Sequence, residues 1–253
     1  MRFASLGSGS KGNATLVEED NTCILIDCGF SLKETEQRLA RLNKKAEEIT
    51  AILVTHEHGD HASGVMPLAR KYNIAVYATM GTGRASEWGS ESACEYFDIH
   101  QTFNVQGLQI QPVTVPHDAK EPSQFIISNG QHRFGLLTDV GSVTAYMQQH
   151  YYDCDALFVE CNHDSELLKI SAYPDALKRR VGGDYGHLNN DQAASFLKTV
   201  VTNKTQHIVI GHLSEKNNTP ARALKAVKQA LDCKEDDIVI ANQQLGFEWR
   251  NVI

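Results

Sequence analysis

The densest group of ligand-type side chains in the sequence is His56-Glu57-His58-Gly59-Asp60-His61. The apolar run Ala51 to Thr55 before it reads as a strand, and an extended backbone there turns His56 and His58 to the same side. Asp60 and His61 follow where the chain turns. Neutral imidazole and carboxylate are the donors a borderline divalent ion such as zinc prefers, and a hydrolytic site needs them to leave a coordination position for water. The plainer reading is a polar loop that happens to be rich in histidine. Chance gives this pattern in roughly one chain in a thousand of such composition, so we read it as ligands. Six residues cannot complete two metal shells, so further donors are expected at strand ends, where a rigid scaffold places them. His117 after Val113 to Pro116, Asp139 after Gly135 to Thr138, and His212 after His207 to Gly211 meet that condition. His100, His132, His150 and His207 lie in polar or mid-strand settings and are left out.

The elements that must carry these residues alternate between strands and helices. Thr22 to Ile26 reads as a buried strand ending at Asp27, followed by a capping box, Ser31-Leu32-Lys33-Glu34, that starts a helix to about Leu42. After the histidine motif, read as a loop, Gly64 to Tyr72 has helical spacing. Ala75 to Ala78, Leu108 to Val115, Gln124 to Ser128, His132 to Leu137, Ala156 to Glu160 and Gln206 to Ile210 read as short strands. Asn190-Asp191 is expected to cap a helix to about Val201, and Thr219-Pro220 another to about Leu231. Two sheets with helices outside would bury all of this, giving an α/β fold. No repeat, low-complexity tract or linker marks a boundary, so residues 1–253 are expected to form a single domain.

Composition narrows the function. A chain of 253 residues, 42% hydrophobic, can bury a full core. The net charge of −7 gives no global attraction to nucleic acid or to an anionic membrane, so any polyanion must meet a local patch. The six cysteines, Cys23, Cys28, Cys94, Cys154, Cys161 and Cys233, form no CxxC pair and several lie in apolar runs, as reduced buried thiols do. Without a signal-like start or an apolar stretch near the ~20 residues that span a bilayer, the expected setting is the cytoplasm, with no membrane and no obligatory protein partner.

The order HExHGDH, a lone His, Thr-Asp and then Gly-His resembles the metallo-β-lactamase superfamily along nearly the whole chain. That resemblance implies a four-layer αββα sandwich. It also implies one metal held by His56, His58 and His117, a second by Asp60, His61 and His212, and Asp139 bridging them. The opening Leu6-Gly7-Ser8-Gly9-Ser10-Lys11-Gly12-Asn13, with Val159-Glu160-Cys161-Asn162-His163-Asp164 and Gly186-His187-Leu188-Asn189-Asn190, looks like the YycJ/WalJ-like branch, which is associated with DNA exonuclease activity. The chain is similar also to ribonuclease Z and the β-CASP nucleases, in which a Glu and a His in the places of Glu160 and His187 assist proton transfer. Residues 118–138 are too few for a tRNA-clamping arm, and residues 140–211 too few for a β-CASP insert.

The implied chemistry is phosphodiester hydrolysis from a 5′ end with two divalent ions, zinc or manganese or else iron. Ions about 3.5–4 Å apart make a bridging hydroxide available near neutral pH. Asp60, His187 and Glu160 are the catalytic candidates, His187 as general acid oriented by Glu160. The bland alternative for His187 is a helix-entry residue bonded to a backbone carbonyl. Asp27 is read either as a hydrogen-bond acceptor behind a ligand histidine or as a turn former. Asn162 and His163 stand where they could touch substrate. Ser8 to Asn13, with Lys11, could hold a phosphate, although a hairpin turn is the simpler description. Lys178-Arg179-Arg180 could meet a nucleic-acid backbone, or be a solvated helix end favoured by the macrodipole. The rival activity is small-molecule hydrolysis, as a cyclic phosphodiesterase, thioesterase or lactonase, because one metal shell serves many substrates.

Overall fold

A computed structural model of the chain describes residues 1–86, 88, 94–232 and 238–253. Its strands form two seven-stranded sheets. The first contains β1 (Arg2–Gly7), β2 (Ala14–Glu19), β3 (Thr22–Ile26), β4 (Ala51–Leu53), β5 (Ala75–Ala78), β6 (Glu95–Tyr96) and β14 (Phe247–Asn251), in the order β14-β1-β2-β3-β4-β5-β6. The second contains β7 (Phe103–Val105), β8 (Leu108–Thr114), β9 (Ser123–Ser128), β10 (Arg133–Leu137), β11 (Ala156–Glu160), β12 (His207–Gly211) and β13 (Ile238–Ile240), in the order β13-β12-β11-β10-β9-β8-β7. Each sheet is antiparallel on one side and parallel on the other. Pairing is parallel from β3 through β6 and from β10 through β13.

The inner strands of those stretches, β3, β4, β10, β11 and β12, are buried on both faces along nearly their whole length, which is why they read as apolar runs. In β3, Ile24 and Ile26 face the core between the sheets, and Cys23 and Leu25 face outward to a second cluster. In β11, Ala156 and Phe158 face the shared core, and Leu157 and Val159 face a third. Each fully buried Ile or Phe in these layers stabilises the fold by ~1.5–3 kcal/mol. The outer clusters are closed by helices. α1 (Leu32–Arg41) and α3 (Val65–Tyr72) cover the first sheet, and α5 (Ala145–Tyr151), α8 (Asn190–Val200) and α9 (Pro220–Leu231) cover the second. The result is the expected four-layer αββα arrangement. The remaining helices are short: α2 (Gly59–Ala62), α4 (Met80–Ala85), α6 (Ser165–Ile170) and α7 (Asp175–Val181).

The expected elements form, with local differences. Ser31 and Glu34 make the capping box of α1, and Thr219 caps α9 ahead of Pro220. The cap of α8 is Asn189 rather than Asn190, because Gln192, three residues on, returns its side chain to the Asn189 amide. Asn190 is instead buried and bonded to Asn218. The histidine motif is partly helical, with His58 at the N-cap of α2. The five described cysteines are free thiols, four of them buried; Cys233 lies outside the described residues. Among the described residues no helix is long and apolar enough to cross a membrane.

Candidate metal centre

Of the strand ends with a left-handed residue, three lie at the site: Asp27 (φ 61°) after β3, Asp139 (φ 55°) beyond β10 and His212 (φ 51°) after β12. This conformation is uncommon for residues other than glycine, is most tolerated by Asn, Asp and His, and costs of order 1–3 kcal/mol where sustained at a functional site. Here it turns each side chain away from the strand direction into the cleft between the loops. The motif loop is fixed by backbone bonds. The Cys28 amide donates to the His61 carbonyl (2.8 Å), the Gly64 amide to the Cys28 carbonyl (2.7 Å) and the Asn13 amide to the Asp60 carbonyl (2.8 Å). A Cβ at Gly29 would lie 1.8 Å from the Asp60 carbonyl oxygen, so only glycine permits this approach. Gly29, and Asn13 as the anchor of Asp60, are parts of the site that sequence reasoning missed. The one available signal was a glycine directly after a strand-end aspartate and cysteine.

The fold brings all seven expected donors together. His56 Nε2 lies 3.0 Å from His58 Nδ1, which lies 3.3 Å from His117 Nε2. Asp60 Oδ2 is 3.6 Å from His61 Nε2 and 3.7 Å from His212 Nε2. Asp139 stands between the two groups, with Oδ2 3.0 Å from His61 Nε2 and Oδ1 3.8 Å from His117 Nε2. Two triads, His56/His58/His117 and Asp60/His61/His212, each offer donor atoms close enough to share one ion.

The opposite ring nitrogens are engaged elsewhere, which fixes the tautomers. Asp27 accepts from His61 Nδ1 (2.7 Å), from the Thr55 amide (2.8 Å) and from the Thr55 hydroxyl (2.8 Å). With that hydroxyl proton given to Asp27, Thr55 Oγ1 accepts from His56 Nδ1 at 2.9 Å. His117 Nδ1 donates to the Gly186 carbonyl at 3.1 Å. In its neutral form each of these rings therefore turns a bare Nε2 inward. Asp27 is thus the hydrogen-bond acceptor, as well as a turn residue.

A divalent cation fits this donor set. Among the described residues Asp139 Oδ2 is buried without a hydrogen bond, and the Nε2 atoms of His56 and His117 both crowd His58 Nδ1, at 3.0 and 3.3 Å. The electrostatics agree. Burial alone would lower His61 and His212, yet Asp139 and its neighbouring carboxylates hold His61 well above its ordinary range and His212 up at about 10. Burial likewise opposes ionisation of Asp139, but His212 and His61 hold its carboxyl well below the usual range. His56, fully buried beside His61, is pushed well down. The carboxylates demand positive charge at the centre, and the inner histidines offer lone pairs to it.

Glu160 is fully buried at the end of β11. Its Oε1 accepts from the Val140 (2.8 Å) and Leu188 (3.0 Å) amides, and its Oε2 lies 3.2 Å from both His187 Nδ1 and His212 Nδ1. Enclosed in this way, its carboxylate meets two amides and two imidazoles and no open surface. His187 keeps 22% of its side chain exposed, and its Nδ1 also lies 3.6 Å from Asp139 Oδ1. Burial lowers its pKa, but Glu160 and Asp139 outweigh that and raise it.

The other candidates separate. His163 is buried, its Nδ1 has no partner, and burial pushes its imidazole down to about 4. Asn162 Nδ2 is bonded to the His212 carbonyl. Lys11 is exposed and paired with Glu215. The amides of Gly9, Lys11, Gly12 and Asn13 already bond within the hairpin or to Gln243 and Asp60, so this turn is a structural brace rather than an open anion nest. Lys178 bonds the Lys169 carbonyl, Arg179 is exposed, and Arg180 Nε pairs with Asp118, the residue after His117.

Residues 22–212, which span every donor above, match the Beta-lactamase superfamily domain. The chain is 36% identical over 238 residues to Exodeoxyribonuclease YycJ of Bacillus anthracis, covering 92% of this chain and 90% of that protein. It is 36% identical over 224 residues to Exodeoxyribonuclease WalJ of Streptococcus pneumoniae serotype 2, covering 86% and 83%. The metallo-β-lactamase fold protein YhfI from Bacillus subtilis superposes with a TM-score of 0.75 at 17% identity, covering 99% of each chain, which speaks to the fold alone. Strand-end donors, paired mixed sheets and a domain match across three quarters of the sequence lead to one conclusion: the chain belongs to the metallo-β-lactamase superfamily and is a metal-dependent hydrolase.

Proposed function

We propose that this chain is a DNA exonuclease that removes nucleotides from a 5′ end using two divalent ions, zinc or manganese, with iron as a third option. The observation that carries this reading is His187, half-buried beside Asp139 with its Nδ1 on Glu160. A phosphodiester has a poor leaving group that needs a proton, and a raised, positioned imidazole is suited to give one. The exodeoxyribonuclease names of the two 36%-identical relatives point to the same substrate class.

When bound, two ions supply a water acidic enough to attack at neutral pH and offset the phosphate's charge. His56, His58 and His117 would hold one, Asp60, His61 and His212 the other, with Asp139 between them. Thr55 and the Gly186 carbonyl keep His56 and His117 in the tautomer that leaves Nε2 bare. Glu160 accepts a hydrogen bond from Nδ1–H of the protonated His187 ring, which leaves Nε2–H to protonate the departing oxygen. Arg179 and Arg180, with Lys178 and Lys11, supply local positive charge for a polyanion on an otherwise acidic protein, and His163 is kept as a candidate substrate contact. We read the chain as one domain, because Phe3 and Ile24 of one sheet share a core with Phe125 and Phe158 of the other, and as a cytoplasmic protein in keeping with its free thiols.

The test is protein loaded separately with zinc and manganese and given 5′- and 3′-labelled single- and double-stranded DNA, with a thioester and a bis-aryl phosphate in parallel. Stepwise loss from the 5′ end, abolished in Asp139→Ala, is the expected result. Turnover confined to the thioester or the small phosphate ester would overturn the nuclease reading and leave the metal centre in place.

A further inference from the structure

We propose that Tyr185 is a stacking platform for the terminal base of single-stranded DNA, fastened to the metal centre through Asp118; this inference rests on the nuclease reading above. Tyr185 is 65% exposed two residues before His187. Among the described residues its ring packs on no other ring and its hydroxyl has no hydrogen-bond partner. A single exposed ring needs no ligand on its own account; this one sits two residues before His187 on a loop held by His117 and Asp118, where a flat, unengaged face can meet a substrate.

Its backbone is fixed on every side. The Tyr185 carbonyl accepts from the Asp118 amide (3.0 Å), the Asp184 carbonyl from the Ser142 hydroxyl (3.1 Å) and the Gly186 carbonyl from His117 Nδ1 (3.1 Å). The Gly186 and His187 amides donate to Gly183 and Val181, both at 2.9 Å. The packing is close enough that a Cβ at Gly141 would lie 2.3 Å from the Asp184 carbonyl oxygen, and one at Gly186 2.1 Å from that of Arg180. Only the two side-chain torsions of Tyr185 remain free, so little entropy is lost when a flat ligand settles on it.

Asp118 does two things at once. Its amide holds the Tyr185 carbonyl, and its carboxylate holds Arg180 Nε, leaving both terminal guanidinium nitrogens without a partner among the described residues. An aromatic face and a guanidinium fork attached to one residue, itself adjacent to His117, match the base and phosphate of one nucleotide. Stacking accepts any base, as an enzyme that removes every nucleotide in turn requires.

The test uses metal-loaded enzyme and 5′-labelled single-stranded DNA with either a normal or an abasic 5′-terminal nucleotide. Tyr185→Ala is expected to raise KM on the normal end by roughly 5- to 150-fold, with kcat changed far less, which is the range 1–3 kcal/mol of stacking produces. Tyr185→Trp should restore the KM, and the abasic end should erase the difference between wild type and Tyr185→Ala. An unchanged KM in Tyr185→Ala, or an equal loss on the abasic end, would overturn the stacking role while DNA turnover by wild type leaves the nuclease reading intact. Failure of wild type to degrade DNA would overturn both.

Discussion

Each sheet sends one buried carboxylate to the back of the metal centre, and the two do different work. Asp27, at the end of β3, bonds only groups on the histidine-motif side: the Thr55 amide and hydroxyl and His61. Glu160, at the end of β11, divides its Oε2 between His212, an expected ligand, and His187, a half-buried ring outside the expected ligand set. Against the cost of burial, His187 and His212 hold the Glu160 carboxyl down at about 2. On the proposed function, one sheet therefore supports metal binding alone, and the other would couple metal binding to proton delivery. The asymmetry follows from the pairing: β11 is parallel to both β10 and β12, so its end meets the loops that follow both, whereas β3 is parallel to β4 and antiparallel to β2.

The largest test of this difference acts on the Glu160 side. His187→Ala should lose ~10²–10⁴-fold in turnover of a substrate with a poor leaving group while keeping its metals, because only the proton donor is gone. Glu160→Gln should lose turnover in the same direction and in addition weaken metal binding, because His212 loses its acceptor. An activated aryl phosphate, whose leaving group needs no proton, should be nearly indifferent to His187→Ala. Metal content by elemental analysis and paired rates on the two substrates make the measurement. A full-strength His187→Ala enzyme on the poor leaving group would reduce Glu160 to a second Asp27.

How much of this was legible before the fold was known also differs between the two sides. His56, His58, Asp60 and His61 lie within six residues, so their convergence follows from local strand and turn geometry. His117, Asp139 and His212 could be picked as strand-end donors, but their meeting depends on β8, β10 and β12 sharing a sheet, which no local pattern reveals. Glu160 was readable as a partner of His187; its second bond, to His212, needed the parallel register that sets Glu160 opposite Gly211. At the termini the same limit appears. β1 and β14 pair Arg2 with Asn251, a contact that joins the two ends of the chain and leaves no trace in either segment alone. Tyr185 is invisible in sequence for the converse reason, because its meaning lies in what it fails to touch.

On the Asp27 side the expected effect is smaller and of another kind. Asp27→Asn should weaken metal affinity by ~10–100-fold, since His61 and, through Thr55, His56 lose the acceptor that fixes their tautomers. Turnover should return when metal is in excess, and the ratio of rates on poor and good leaving groups should stay that of wild type. Metal titration followed by activity measures both. A defect that persists at saturating metal would show that Asp27 also shapes the proton-transfer step and would erase the contrast with Glu160.

The smallest effect is expected at the far end of the strand that Glu160 terminates. Asp155, just before β11, is buried and accepts from the Arg133 amide (2.7 Å), with His132 and Lys204 within 3.3 Å. Burial would raise its pKa, but those bonds win and hold it below the usual carboxylate range. A carboxylate depressed in the folded state contributes stability above its unfolded pKa, near 3.9, and loses it as pH falls through the folded value. Asp155→Asn should therefore lower the melting temperature at pH 7 by a few degrees, as loss of about 1–3 kcal/mol of charged hydrogen bonding would. The gap from wild type should narrow as pH drops below about 4, where the native carboxyl also protonates. Turnover at moderate temperature should not change, because β11 carries a structural carboxylate at one end and a functional one at the other. A pH-independent gap would mean that the Asp155→Asn protein is weakened through packing, and a loss of turnover would mean that strain at the start of β11 reaches Glu160.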